Sequence, residues 1–326
     1  MKKVFSLLLA AVMLSLCVLS VSAGVDVKTT EKRIFENGNT VLPYRLVLPE
    51  TYDENKSYPM LVFLHGAGER GNDNELQLFH CVQYLADTLP ECIIVAPQCP
   101  ANNQWVDTPW ANGAYSIDKV PESNELKAVV ELLDTLQEEF NVDADRIYAS
   151  GLSMGGFGAW DLMMRHNDYF AAGVLVCGGG DLSQAEALKD TPLFVFHGDA
   201  DPTVPVSGSR DVVQAIRDAG GELVQYVEYA GQGHGIWNAA FAHPGMLQEL
   251  MTYKLSTRYP PEESEEESEE ESLEESVEAT VFQSTSSEAP AEQPENSPLG
   301  WIIALSVLGV IVLATVILLI LKKKKG

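Results

Sequence analysis

Arg146-Ile147-Tyr148-Ala149-Ser150 runs directly into Gly151-Leu152-Ser153-Met154-Gly155-Gly156, and an apolar helical pattern through Ala159, Trp160 and Met163 follows. A β-rich run, a G-x-S-x-G pentapeptide and a helix, in that order, describe a sharp strand-to-helix turn with a serine at its tip. Glycines two residues either side of Ser153 let the strand and the helix pass closely. The pentapeptide alone arises by chance in about one chain in ten of this length. Its place between a buried strand and a helix makes it specific.

The same alternation continues on both sides. Val41–Leu48 is β-rich and follows the turn signal Asn37-Gly38, which predicts an opening hairpin. The runs 59–64, 93–96, 173–177, 193–196 and 223–229 are short and apolar almost throughout. Such runs suit strands buried on both faces, as a parallel sheet requires. Between them Leu126, Val129, Val130, Leu132, Leu133, Leu136 and Phe140 recur at helical spacing, with Glu and Asp opposite. Val212, Val213, Ile216 and Ala219 repeat the pattern ahead of the glycine stop at Gly220-Gly221. Strand–helix alternation on this scale predicts one α/β domain with a doubly wound, mostly parallel sheet and helices on both faces.

A serine hydroxyl is a poor nucleophile without a base and an acid to orient that base. On a strand-turn-helix of this kind the chain order is Ser, acid, His. Downstream of Ser153, the strand at 193–196 ends in His197-Gly198-Asp199-Ala200-Asp201-Pro202, and the strand at 223–229 ends in Gly231-Gln232-Gly233-His234-Gly235. Both lie at C-terminal strand ends, where open α/β sheets build their sites. His234, in a glycine-rich loop, is the expected general base and Asp201 the expected acid, with Asp199 and Asp181 as rivals. His197 precedes the acid and reads as a packing residue. His80, His166 and His243 fall in or beside helices and read as surface or capping residues. The oxyanion needs two N–H donors placed in advance. Met154 follows the serine and supplies one. The loop His65-Gly66-Ala67-Gly68-Glu69-Arg70-Gly71 supplies the other, with Ala67 the expected donor. Trp105, Trp110 and Trp237 are candidates to line the substrate pocket, with plain core packing as the alternative; Trp160 reads as core.

His65-Gly66-Ala67-Gly68-Glu69-Arg70-Gly71, Ala96-Pro97-Gln98-Cys99-Pro100, Asp145-Arg146-Ile147-Tyr148 leading into the serine turn, and Cys177-Gly178-Gly179-Gly180-Asp181 occur in that order. With them the chain, over roughly residues 30 to 255, resembles the secreted α/β-hydrolase esterases labelled predicted peptidases or phospholipase/carboxylesterase-like, similar to feruloyl esterases and polyhydroxybutyrate depolymerases. The resemblance implies a Ser-His-Asp ester hydrolase without metal or organic cofactor. It carries Ser153, Asp201 and His234 over, with Met154 and Ala67 as oxyanion donors. It leaves the ester open: acyl or feruloyl groups on a polysaccharide are the expected class. A prolyl-oligopeptidase-type serine peptidase and a catalytically silent surface-binding protein are the alternatives.

The rest of the chain says where such a domain would act. Lys2 and Lys3, an apolar run to Val21 and the small residues Ser22-Ala23 make residues 1–23 an expected signal peptide, ahead of a retained membrane helix. Residues 24–260 form the expected catalytic domain. Residues 261–298 hold fourteen Glu and no Lys, Arg or Asp. Their mutual repulsion predicts a disordered stalk rather than a defined cation site. Residues 299–321 carry no charge and span about 34 Å as a helix, enough for a bilayer core. The lysines of 322–326 bias that end to the cytoplasm. These signals predict a single-pass membrane protein, anchored in the lipid bilayer with its catalytic domain outside. The net charge of −26, from 47 acidic and 21 basic residues, excludes a nucleic-acid binder, which needs clustered cations. Cys81, Cys92, Cys99 and Cys177 remain after signal removal, as buried thiols or as pairs that the sequence does not choose.

Overall fold

In strand Tyr58–Leu64 all seven residues are buried, because both faces of the sheet are covered there. Met60, Val62 and Leu64 join one core, and Leu61 and Phe63 join the other. The computed structural model describes residues 25–259 apart from residue 39. Within them β1 (Lys32–Asn37), β2 (Thr40–Val47), β3 (Tyr58–Leu64), β4 (Ile93–Pro97), β5 (Val142–Leu152), β6 (Ala172–Val176), β7 (Leu193–Gly198) and β8 (Val224–Tyr229) form one sheet. Its order is β1-β2-β4-β3-β5-β6-β7-β8. The β1–β2 hairpin and the β2–β4 pair are antiparallel, and every other pairing is parallel. The expected mostly parallel, doubly wound sheet is what forms.

Helices cover the two faces separately. α1 (Val82–Thr88) packs on the face that carries Leu61 and Phe63. α2 (Asn124–Glu139), α3 (Met154–Arg165), the short α4 (Ala185–Leu188) and α5 (Ser207–Asp218) pack on the other. α6 (Trp237–Phe241) and α7 (Met246–Leu250) join α1, and α8 (Leu255–Arg258) follows them. The periodicity read for α2 marks its buried stripe: Leu126, Val129, Leu132, Leu133 and Leu136 are buried, and Ser123 caps the helix by accepting the Leu126 N–H at 3.0 Å.

Of the boundaries that differ from the sequence pattern, two have a clear backbone reason. β5 begins at Val142, upstream of the apolar run at Arg146, because Tyr58 of β3 pairs with Val142 across a register shift. β6 ends at Val176, since Cys177 turns to a positive φ of 49° and leaves the ladder. Among the described residues no helix is long and apolar enough to cross a membrane. The expected signal peptide, acidic stalk, membrane helix and basic tail all lie outside the described residues.

Candidate active site

β5 delivers Ser153 to the C-terminal edge of the sheet and α3 carries the chain away. The turn is tight: Ser153 has φ 55° and ψ −119°, a conformation that costs a non-glycine residue of order 1–3 kcal/mol. Its N–H donates to Val176 O at 2.8 Å, which ties the turn to β6. A Cβ on Gly151 would lie 2.0 Å from Gly155 O, so the strand must present a glycine where the helix doubles back.

Three side chains from three loops meet at this turn. Ser153 Oγ lies 2.7 Å from His234 Nε2, and His234 Nδ1 lies 2.6 Å from Asp201 Oδ2. A carboxylate only accepts, so Nδ1 carries the proton and Nε2 is free to accept from the serine. Asp201 Oδ1 accepts the N–H groups of Thr203 (2.8 Å) and Val204 (3.0 Å). Burial pushes the Asp201 carboxyl up. The bond from His234 and the two backbone amides outweigh that and hold its pKa below the usual carboxylate value. The group is therefore an anion at neutral pH.

The neighbours are placed as supports. His197 is buried, and its Nε2 faces both Val204 O at 3.1 Å and Asp201 Oδ2 at 3.3 Å, behind the acid. Asp199 instead accepts the Gly231 N–H at 2.6 Å, which fixes the loop that presents His234. Asp181 accepts from Ser183 and Ile117 N–H groups and holds the 117 region against the domain. His166 pairs with Glu122 at 2.7 Å, and His243 packs on Phe196. Cys177, Asp201 and His234 are the one group among the described residues with metal-ligand spacing. Its donor set does not fit a cation, because His234 and Asp201 are bonded to each other and burial pushes the Cys177 thiol up to about 12. All four described cysteines are free thiols.

Met154 opens α3 and Ala67 opens a 3₁₀ turn after β3, so each N–H falls in a first turn, where amides have no intrahelical partner. A Cβ on Gly66 would touch Leu152 Cδ1 at 2.9 Å and stand 3.5 Å from Ser153 Cβ, which shows how closely this loop approaches the serine. His65 anchors the loop from below. Its Nε2 accepts the Cys99 N–H at 2.9 Å, and its Nδ1 donates to Gly66 O at 2.6 Å. Trp105 corrects the sequence expectation. It is fully buried, donates Nε1–H to His65 O at 3.0 Å, and has no surface for a substrate. An indole in a loop sequence carries no mark of depth. Trp237 is half-buried and stands edge-on to His234 with centroids 5.5 Å apart. His80, read from sequence as a surface or capping residue, instead continues that aromatic row 5.4 Å from Trp237; no local signal links it to His234.

His65 also gives the domain an acid sensitivity. Burial lowers its pKa to about 4, against about 6.5 when unfolded. A group depressed in the folded state contributes fully above the unfolded value and loses that contribution as pH falls toward the folded one. Between pH about 6.5 and 4 the domain is expected to lose about 3 kcal/mol through this residue. Urea unfolding across that range should show a shallower pH dependence in His65→Gln. Parallel curves would remove His65 from the linkage.

Comparison with known proteins bears on this arrangement. Residues 39–185 match the family described as "Putative esterase", and residues 180–253 match the prolyl oligopeptidase family. A thermostable esterase of known structure is 34% identical and superposes with a TM-score of 0.61, covering 70% of this chain and 64% of the other. The chain has an α/β-hydrolase-like fold and is similar to esterases. "Probable feruloyl esterase C" of Aspergillus terreus is 25% identical over 52% of this chain and 58% of that relative. "Putative esterase NocK" of Nocardia uniformis subsp. tsuyamanensis is 28% identical over 56% and 52% respectively. The chain thus spans a little over half the length of these two curated relatives.

Proposed function

We propose that this hydrolase cleaves carboxylic esters through an acyl-enzyme on Ser153. The observation that carries the reading is the unbroken chain of hydrogen bonds from Ser153 through His234 to the buried Asp201 carboxylate. Ser153 Oγ attacks the ester carbonyl carbon as its proton passes to His234 Nε2. The N–H groups of Met154 and Ala67 hold the negative oxygen that results. When the tetrahedral species collapses, His234 returns the proton to the departing alcohol and the acyl group remains on Ser153. Water, deprotonated by the same Nε2, then cleaves the acyl bond and Ser153 recovers its proton. Asp201 stays ionised throughout and stabilises the imidazolium.

The two ends of the chain support a place for this reaction. A signal peptide, an acidic stalk and an apolar run followed by lysines suit a single-pass protein displayed outside the cell. That position suits an acylated polysaccharide better than a soluble metabolite. A second reading has one specific support: the prolyl oligopeptidase match over residues 180–253, which contains Asp201 and His234. Matched ester and anilide substrates with the same acyl group, given to cells bearing the full chain, test both points together. The ester should turn over faster, and external protease should release the activity into the medium. Faster anilide cleavage would make the protein a peptidase, and activity protected until lysis would overturn the orientation.

A further inference from the structure

The Asp201 carboxylate has four lone-pair positions to fill, and no part of its side chain reaches solvent. Oδ1 takes the Thr203 and Val204 amides, and Oδ2 takes His234 Nδ1–H at 2.6 Å. A second imidazole stands at the fourth position. His197, near the end of β7, places Nε2 3.3 Å from the same Oδ2 and 3.1 Å from Val204 O, and its ring is sealed from solvent. Its Nδ1 lies 2.8 Å from Ser209 Oγ on α5, and that hydroxyl is 2.9 Å from Gly178 O.

These neighbours fix the tautomer of the second ring. Nε2 faces a carbonyl and a carboxylate, which only accept, so Nε2 carries the proton. Burial holds the His197 pKa below the ordinary histidine value, so the ring is neutral at neutral pH and Nδ1 accepts. Ser209 offers its one hydroxyl proton to Nδ1 and to Gly178 O. The Nε2–H is likewise shared between Val204 O and Asp201 Oδ2, which accounts for its length. A second donor on Oδ2 draws charge from the atom that holds His234. Without it the carboxylate would bind the imidazolium formed on His234 more strongly, and the base would be lost at higher pH. The other ionisable groups around the pair are Cys177, bonded to His234 O, and Asp199, bonded to Gly231 N–H. From β8 come Tyr226 and Glu228, with Glu228 paired to Arg210 of α5. Glu69 meets His80, which Trp237 separates from His234.

We propose that His197 is a positioning residue whose Nε2–H completes the hydrogen bonding of the Asp201 carboxylate and keeps His234 a neutral base to lower pH than Asp201 alone would allow. The role rests on the ester hydrolase reading above. The test is the pH profile of kcat/KM on p-nitrophenyl acetate, with the full chain and two variants. His197→Met fills similar space without a donor, and its acid limb should move up by about half a unit to one unit. In His197→Gln the amide nitrogen lies as many bonds from Cβ as Nε2 does, so the donor returns and the limb should fall back to the wild-type position. A limb that stays or moves down in an active His197→Met would overturn the role while leaving the esterase intact, as would equal upward shifts in both variants. The ¹⁵N spectrum of histidine-labelled wild type needs no variant that folds differently and reads the same bond. It should show His197 protonated on Nε2 and bare on Nδ1, the resonances being assigned by their loss in His197→Gln. A proton on Nδ1 with Nε2 bare would overturn the proposal. A wild type inert toward the ester would overturn the underlying reading, and the role with it.

Discussion

Ser153→Ala is expected to lower kcat on a simple activated ester by about 10⁴-fold or more, the scale seen when a triad loses its nucleophile. The expectation follows from the position of Oγ, 2.7 Å from an imidazole whose other nitrogen is held by a buried carboxylate. Ser209 Oγ also lies 2.8 Å from an imidazole, that of His197, whose Nε2 faces Asp201, but Ser209 is fully buried and donates to Gly178 O. Ser150, the nearest serine in sequence, donates to Val62 O inside the sheet and is fully buried. The rest of the site would remain in the variant, so the loss should fall on kcat. Steady-state turnover of p-nitrophenyl acetate measures it, and a fluorophosphonate probe checks the same atom. Wild-type turnover by the alanine variant would remove Ser153 from the mechanism. A folded wild-type protein that fails to react with the probe would favour the silent surface-binding alternative.

The second large effect is on stability. A Cβ on Gly155 would lie 1.9 Å from Leu64 O and 2.7 Å from His65 O. Both are backbone atoms of β3 and of the loop after it, so no side chain can swing aside. Gly155→Ala must lift the start of α3 away from β3. Overpacking a core costs 1–3 kcal/mol even where side chains can adjust. Here about 3 kcal/mol or more is expected, or roughly 6–12 °C in Tm for a domain of this size. Gly68→Ala is the control, since a Cβ there meets nothing within 4 Å. It should melt within about 1 °C of the wild type. Equal melting of the two variants would mean that the strand and helix do not cross as closely as the turn requires.

These two residues are also those that the sequence displays best. Ser153 and its glycines lie within a few positions of one another, between a strand pattern and a helix pattern that are themselves local. The order of the downstream segments then suffices to nominate Asp201 and His234, because a parallel sheet sends every strand end to the same edge. The buried stripe of α2 and the two-faced burial of β3 were legible for the same reason: periodicity is a property of near neighbours in the chain.

What the tertiary structure alone decided is depth and partnership across long stretches of chain. Asp199 and Asp201 stand two residues apart with the same chemistry, and only the approach of the 231–235 loop divides them. One carboxylate takes His234 and the other takes the Gly231 amide. Trp105 and Trp237 look alike as indoles in loops, yet one is sealed beneath His65 and the other flanks His234. His80 had no visible link to the site, because it reaches it from a segment well beyond the loop that follows β3. Sequence determined which segments become strands and helices, and hence the edge at which the chemistry gathers, because hydrophobic spacing and turn residues act locally. Which side chains at that edge touch one another is set by the packing of α1, α3 and α6 against a shared sheet, and those contacts join residues too far apart in the chain to mark each other.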